Sequence, residues 1–270
     1  MKTLQDEGFL DIGGQRLEYR MIGPRPNEAP TIVMLHEGLG CVGMWNSFPE
    51  RLAQATGAGV FAYSRAGYGQ SSPVTLPRPL TYMHDEAALL PKILSAIGFR
   101  RGLLLGHSDG ASIATIYAGS VQDHRIRGLA LIAPHFFVED VSIKSIEEAK
   151  VAYAQTDLRE RLARYHGDVD NAFRGWNDAW LDPDFRAWNI TEELAYIRVP
   201  ILIVQGEQDQ YGTVAQIAAA QEECYCPVDV ALLAEARHAP HREAPDAALQ
   251  AVGDFANRIL HTHEEAAFAA

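Results

Sequence analysis

The chain has 270 residues, of which 47% are hydrophobic and 9% aromatic, so it is long and apolar enough to bury one large core. Its formal net charge of −12 repels phosphate backbones and anionic lipid surfaces, which argues against nucleic acid and membrane partners. We expect a cytoplasmic protein, because no apolar run reaches membrane-spanning length, Asp6 and Glu7 lie where a signal peptide would be apolar, and the three cysteines are an odd number.

The first predicted element is an antiparallel hairpin, in which Gly13 and Gly14 separate the alternating runs of GFLDIGGQRLEYRMIG. Six apolar runs follow in chain order and predict buried strands: TIVMLHEG, GVFAYSRAG, RGLLLGHS, RGLALIAPH, VPILIVQGEQD and PVDVALLAE. Helical patterns such as YMHDEAALLPKILSAIG and TVAQIAAAQEECY lie between them. Strands that alternate with helices predict right-handed crossovers, so the fold class is α/β, with a mostly parallel twisted sheet and helices on both faces.

The alternation is interrupted from about residue 136 to 197, where polar helical stretches and the aromatic cluster FRGWNDAW occur without a convincing strand. We interpret this segment as a helical cap, because it follows RGLALIAPH, whose C-terminal end opens on the ligand side of the sheet. The predicted division is a core at 1–135, a cap at 136–197 and the rest of the core at 198–270. Helices on the far side of the sheet are the alternative. The terminal EEAAFAA is expected to fray.

The stretch LLLGHSDGASIA places Ser108 between Gly106 and Gly110, after a predicted strand and before a predicted helix. A serine in this G-x-S-x-G pattern lies on a strained elbow that lifts its hydroxyl clear of the sheet, and the glycines allow strand and helix to approach closely. An ordinary glycine-rich turn would give the same five letters, but the flanking strand and helix favour a nucleophile.

A serine nucleophile requires a base and an orienting carboxylate. His238 follows the last predicted strand and falls on a loop at the sheet edge of Ser108, with His241 as its rival. Asp209 follows the strand of VPILIVQGEQD, and its competitors are Glu207 and Asp229. The chain order Ser108, Asp209, His238 is that of α/β-hydrolases. A metal bound by His238 and His241 lacks further ligands at suitable spacing, so no metal is expected.

The stretch HEGLG follows the strand TIVML and is where backbone donors for an oxyanion are expected. The predicted oxyanion hole consists of the N–H groups of Gly38 and Asp109, the residue after the nucleophile. A simple glycine turn is the structural alternative, although glycines also let a ligand approach the backbone closely.

These motifs together resemble the α/β-hydrolase superfamily, in particular its cap-bearing serine hydrolases, over nearly the whole chain. HEGLG, YSRAGYGQSS, GHSDG and HAPHREAPD carry the resemblance, and the spacing of His238, Glu243 and Pro245 favours His238 over His241 as the base. A serine at the elbow argues against a dehalogenase or an epoxide hydrolase. The chain departs from the family's pattern at Glu37, where glycine is usual, and also at Arg237 and Ser64.

The expected function is hydrolysis of a carboxylic ester, lactone or thioester without a cofactor or metal. A carbon–carbon hydrolase, a lyase and a non-catalytic ligand-binding protein on the same fold remain alternatives. The expected partner is a small, apolar or aromatic substrate; monomer and homodimer both stay open. The candidate substrate-binding residues are His36, Glu37, Trp45, His135, Phe136, Trp176 and Trp180.

Overall fold

The protein folds around an eight-stranded sheet, seen in a computed structural model that describes residues 4–268, with side chains to residue 261. The terminal EEAAFAA, which was expected to fray, is helical as far as Phe268, and its last two residues lie outside the described part. The strands are β1 (Glu7–Ile12), β2 (Gln15–Ile22), β3 (Thr31–Leu35), β4 (Gly59–Tyr63), β5 (Gly102–His107), β6 (Ile126–Ile132), β7 (Ile201–Gly206) and β8 (Val228–Leu233). Their spatial order is β1-β2-β4-β3-β5-β6-β7-β8.

The sheet is parallel from β4 to β8, whereas β2 runs antiparallel to both β1 and β4. The predicted hairpin is present, and Gly13 and Gly14 turn it with φ of +59° and +82°, a region that favours glycine. One detail differs from the sequence-based expectation. The run PVDVALLAE forms β8, but this strand lies at the sheet edge, so Val230 and Leu232 are exposed rather than buried.

Ten α-helices surround the described sheet: α1 (Phe48–Thr56), α2 (Tyr82–Ala96), α3 (Asp109–Ser120), α4 (Asp140–Gln155), α5 (Leu158–Leu162), α6 (Val169–Trp180), α7 (Thr191–Leu194), α8 (Val214–Glu223), α9 (Pro240–Glu243) and α10 (Pro245–Phe268). Short 3-10 turns occur at Val42–Trp45 and Pro183–Ala187. The helix α1 shows how sequence sets the boundaries: Pro49 lies in its first turn, and Gly57 ends it in the left-handed conformation.

The core has two layers because neighbouring strand residues point to opposite faces. Val33 and Leu35 of β3 pack on the face covered by α2 and α3, whereas Ile32 and Met34 pack on the face covered by α1 and α10. This is the predicted α/β fold class, and it is confirmed. Parallel strands bring the ends of β3, β5, β6 and β7 to one edge, where the candidate residues converge.

The segment from 136 to 197 contains α4 to α7, and the described pairing within it is a single bridge between Phe137 and Asn189. Helices α4 and α6 place Ile146, Trp176 and Trp180 against the cavity that contains Ser108. The division into core and cap stays a prediction.

Candidate active site

Ser108 lies on the turn between β5 and α3 with φ of +52°, a conformation that costs a non-glycine residue of order 1–3 kcal/mol. The two flanking glycines are required sterically. A Cβ on Gly106 would lie 2.4 Å from the carbonyl oxygen of Gly110, and one on Gly110 would lie 2.0 Å from that of Leu35. The strain is therefore held by close packing of strand and helix, which presents the hydroxyl to the cavity.

Three side chains form an unbroken hydrogen-bonded chain. The Ser108 hydroxyl donates to His238 Nε2 over 2.9 Å, and His238 Nδ1 lies 2.9 Å from both carboxylate oxygens of Asp209. A carboxylate only accepts, so Nδ1 carries the proton and Nε2 is the acceptor. The imidazole thus has the tautomer that a general base needs.

Asp209 is oriented by its own shell of donors. Gln205 Nε2 donates to Oδ2 over 2.7 Å, and the N–H of Tyr211 donates to Oδ1 over 2.8 Å. Burial opposes ionisation, but the interaction with His238 and the hydrogen bond from the Tyr211 N–H outweigh it and hold the pKa of Asp209 below its usual value. The carboxylate is ionised where it contacts His238.

The competing residues lie elsewhere. His241 is buried against Trp45, with ring centres 4.9 Å apart, and burial lowers its pKa well below the usual value. Glu207 is exposed, and Asp229 forms an ion pair with Arg258. His241 therefore makes no hydrogen bond to Ser108, and neither Glu207 nor Asp229 makes one to His238.

The predicted oxyanion loop is held by an arginine that the sequence analysis missed. Arg65 is fully buried, and its guanidinium donates to the carbonyl oxygens of His36 and Glu37, the latter over 3.1 Å. Because a trans peptide is planar, the N–H of Gly38 points away from the Glu37 carbonyl and hence from Arg65. Gly38 and Asp109 both line the cavity. The only sequence signal for Arg65 is its place just after a buried strand.

The cavity beside Ser108 has a volume of about 220 Å³. Four of the seven predicted substrate-binding residues line it, namely Glu37, His135, Trp176 and Trp180. Leu39, Ser142, Ile146, Gln210, Tyr211 and Arg242 also line it and were not predicted. These positions come from separate loops and helices, so no local pattern marks them.

His36, Trp45 and Phe136 are not among the lining residues, which corrects their expected contact with substrate. The His36 ring is occupied by backbone groups, because Nδ1 donates to the Glu37 carbonyl and Nε2 accepts the N–H of Arg65. Trp45 packs against His241, and Phe136 has 0% exposure. All three support the cavity wall from behind.

His135 is a buried polar residue of the cavity wall that lacks a hydrogen-bond partner at one ring nitrogen. It is buried, its Nδ1 has no hydrogen-bond partner, and its ring centre is 5.5 Å from that of His238. Burial lowers the pKa of His135 to about 3, so this imidazole is neutral. It can accept or donate one hydrogen bond to a ligand.

The side chain of Asp109 joins the elbow to α6. Tyr82 Oη donates to Asp109 Oδ2 over 2.5 Å, and Trp180 Nε1 donates to Oδ1 over 3.2 Å. Burial raises the pKa of Asp109, while Arg65 and Arg78 act in the opposite direction. The cavity wall at Trp180 is thus fixed relative to the residue that follows Ser108.

A histidine of the 136–197 segment fastens that segment to the oxyanion loop. His166 Nδ1 accepts the N–H of Gly69 over 2.9 Å, and Nε2 donates to the Leu39 carbonyl over 3.0 Å. Asn171 adds hydrogen bonds to both backbone groups of Val74. The start of α6 is therefore tied to the core.

Two further features bear on the site's surroundings. No three His, Cys, Asp or Glu side chains within the described residues converge as metal ligands. Among the described helices, none is both long and apolar enough to cross a bilayer.

A doubly wound sheet with a serine elbow and a carboxylate-supported histidine is the architecture of α/β-hydrolases. The chain belongs to the alpha/beta hydrolase family, whose sequence profile matches residues 32–251, and this confirms the resemblance seen in the motifs.

Two curated proteins resemble part of the chain. A proline iminopeptidase of Lactobacillus helveticus (strain DPC 4571) is 30% identical over 126 residues, 46% of this chain and 42% of the relative. A (lyso)-N-acylphosphatidylethanolamine lipase of Bos taurus is 30% identical over 117 residues, 43% of this chain and 33% of the relative. The chain thus aligns with less than half the length of these curated relatives.

A solved structure supports the fold over a longer range. The enol-lactonase from Burkholderia xenovorans LB400 superimposes with a TM-score of 0.73 and 22% identity, covering 92% of this chain and 99% of that enzyme. At this identity the likeness concerns the fold.

Proposed function

We propose that the protein is a serine hydrolase that cleaves a carboxylic ester, or a related lactone or thioester, through an acyl-enzyme. The observation that carries this proposal is the chain of 2.9 Å contacts from Ser108 Oγ through His238 to Asp209, at the wall of a cavity. Nucleophile, base and orienting acid are within hydrogen-bond reach of one another without any rearrangement.

In the acylation step, Ser108 Oγ attacks the acyl carbonyl as its proton passes to His238 Nε2. Asp209 stabilises the imidazolium, and the N–H groups of Gly38 and Asp109 bind the oxyanion. His238 then gives the proton to the leaving alcohol as the bond to the acyl carbon breaks. In deacylation, water attacks the acyl-enzyme, its proton passes through His238 to Ser108 Oγ, and the carboxylic acid is released.

The cavity favours a small substrate. Its volume of about 220 Å³ lies below the 300 Å³ or so at which typical ligand pockets begin. Leu39, Ile146, Trp176 and Trp180 form an apolar surface, and His135 offers one polar contact. A small apolar or aromatic acyl group fits this description. The relatives, named as an iminopeptidase, a lipase and an enol-lactonase, are hydrolases of acyl compounds, which supports the reaction class without selecting the substrate.

The first experiment is labelling of the purified protein with a fluorophosphonate probe. We expect the wild type to be labelled and Ser108→Ala not to be, because only an activated serine attacks the probe. His238→Ala should lose labelling, whereas His241→Ala should keep it because His241 packs away from the hydroxyl. Equal labelling of wild type and Ser108→Ala would reject the nucleophile, and loss in His241→Ala alone would reject His238 as the base.

Hydrolysis of p-nitrophenyl esters then tests the substrate class. Short and aromatic acyl groups should be cleaved faster than long chains, since the cavity is small. A labelled protein that cleaves none of these esters would favour the carbon–carbon hydrolase or lyase alternatives, and a wild type that is not labelled would favour ligand binding without catalysis.

We further propose that the segment 136–197 is a cap over the site and that the protein works in the cytoplasm on a small molecule. The contribution of Trp176 and Trp180 to the cavity supports the cap. Cys41, Cys224 and Cys226 are all free thiols, which supports a reducing compartment. Limited proteolysis with and without a bound inhibitor tests whether the cap protects the site, and fractionation of the native cells tests the location.

A further inference from the structure

The most unusual position of the site is Glu37, a carboxylate in the oxyanion loop. It lies immediately before Gly38 and lines the cavity. Its Oε2 is 3.3 Å from His107 Nδ1, and the two side chains are only 17% and 1% exposed. A carboxylate beside the place where an oxyanion forms would oppose catalysis unless its charge is neutralised.

His107 bonds at its other nitrogen to the loop that bears the base. His107 Nε2 is 2.8 Å from the backbone carbonyl oxygen of His238. A carbonyl oxygen only accepts, so this nitrogen carries a hydrogen. His107 therefore joins three parts of the site: the oxyanion loop through Glu37, the elbow through Ser108, its neighbour in the chain, and the loop of His238.

The contact between Glu37 and His107 requires a proton. A neutral imidazole that is protonated at Nε2 has a lone pair at Nδ1, and that lone pair would face the carboxylate oxygen at 3.3 Å in a buried site. His107 Nδ1 forms no hydrogen bond, so its 3.3 Å approach to Glu37 Oε2 is a contact at ion-pair distance. Two acceptors in this arrangement repel each other, whereas one proton between them makes the pair attractive and electrically neutral.

The neighbouring groups do not supply this charge balance. The titratable and charged groups around the pair are His36, Cys41, Arg65, His135, His166, His238 and His241. Burial holds His36, His135, His166 and His241 neutral, and Arg65 faces the backbone carbonyls of the loop. Burial opposes ionisation of Glu37 itself, yet the interaction with His107 lowers the pKa of Glu37 well below its usual value.

We propose that Glu37 and His107 form a second acid–imidazole pair that holds one proton, keeps the wall of the oxyanion hole neutral and positions the loop of His238. This inference rests on the proposed hydrolase function. As the pH rises, the pair loses its shared proton to solvent. A net negative charge then remains next to Gly38, and it opposes the developing oxyanion.

The first test is the pH dependence of kcat in Glu37→Gln. Wild type should lose about tenfold in kcat on the alkaline side, the effect of about 1.4 kcal/mol on the barrier. Glu37→Gln should lack this alkaline decline, whatever its rate at the optimum, because its amide donates permanently to His107 Nδ1 and cannot ionise. Glu243→Gln is the matched control: it removes another carboxylate of the cavity wall and should retain the alkaline decline whatever its rate.

The second test is a rescue. His107→Gln leaves the Glu37 carboxylate without its counter-charge, so its kcat should be about tenfold low at all pH values where wild type is active. The double variant Glu37→Gln/His107→Gln should recover most of that loss, since the charge is gone. A purely structural role for His107 predicts no recovery. An unchanged alkaline decline in Glu37→Gln, or a double variant no better than His107→Gln, would overturn the proposal.

A spectroscopic measurement separates this proposal from the hydrolase function. Proton NMR of wild type should show two downfield imidazole N–H signals, from His238 and His107. Glu37→Gln should remove one and Asp209→Asn the other, and Ser108→Ala should keep both. If Ser108 proves unreactive while both signals are present, only the catalytic function fails. If the His107 signal is absent from an active enzyme, only the pair fails.

Discussion

At the scale of single residues, one added methyl group at Gly38 should strongly lower the rate of hydrolysis. A Cβ there would lie 2.2 Å from Cδ1 and Nε1 of Trp176, so the loop or α6 must shift. Gly38→Ala should lower kcat by about 10²–10³, the loss that follows removal of one oxyanion donor, with a smaller change in KM. Steady-state kinetics with a p-nitrophenyl ester measure this.

The matched control for Gly38 is Gly175, which precedes Trp176 in α6. A Cβ on Gly175 would meet Leu76 at 3.7 Å, an ordinary contact. Gly175→Ala should leave kcat unchanged and stabilise the protein by up to about 1 kcal/mol, because alanine is the better helix former. A Gly38→Ala variant as active as Gly175→Ala would remove Gly38 from the oxyanion hole.

At the scale of elements, one hydroxyl joins α2 to both α3 and α6. Tyr82 Oη donates to Asp109 and accepts from Trp180 Nε1 over 3.0 Å, and all three side chains are buried. Tyr82→Phe leaves the Asp109 carboxylate with one donor fewer, so we expect a loss of about 1–3 kcal/mol in the free energy of unfolding. Urea denaturation of both proteins provides the comparison.

Tyr117→Phe is the control for this element-scale prediction. Its hydroxyl donates to Asp123 over 2.7 Å, but that carboxylate is also bonded to Arg125 and is partly solvated. The loss should therefore be smaller, about 0.5–1.5 kcal/mol. If Tyr82→Phe costs no more than Tyr117→Phe, the buried link does not hold the three helices together.

The same elements show what a sequence can predict. The alternation of apolar runs and helical patterns predicted the parallel sheet, because strand burial and helix periodicity are local properties of the chain. That Ser108, Asp209 and His238 lie next to one another was predictable, because each follows the end of a strand at the same edge of the sheet. Arg65 was not, since arginine is usually exposed and its partners, the carbonyls of the oxyanion loop, lie almost thirty positions earlier in the chain.

Contacts made across the fold account for the remaining differences. His36 and Trp45 stand close to the oxyanion loop in sequence, yet their rings are taken up by backbone groups and by His241. Ile146 and Tyr211 line the cavity although nothing near them in the chain suggests it. Which side chains face the cavity depends on how α4 and α6 pack against the rest of the protein. The sequence near each residue does not determine that packing.

At the scale of the whole molecule, buried histidines should make the fold sensitive to acid. Burial lowers the pKa of His36, His135, His166 and His241, and for His135 to about 3. In the unfolded chain these imidazoles bind protons below about pH 6.5. In the folded protein they do not bind protons until the pH is lower. The stability that they contribute is thus present above about pH 6.5 and is lost as pH falls, at up to about 1.4 kcal/mol per pH unit for each group.

Buried acids act in the opposite direction, because burial raises the pKa of Asp109 and Glu86 and the folded state binds their protons first. This gain appears as the pH falls through the raised pKa values of the two carboxyls, but four imidazoles oppose two acids, so the histidine effect dominates on the acid side. Urea midpoints should be nearly constant from about pH 7 to 8 and decline steeply below about pH 6.5. His135→Gln should reduce the slope of stability against pH by about one proton, about 1.4 kcal/mol per unit, whereas the exposed His84→Gln should leave it unchanged. An equal slope in both variants would mean that His135 already carries its proton in the folded protein, and the neutral imidazole assigned to the cavity wall would have to be replaced by a cation.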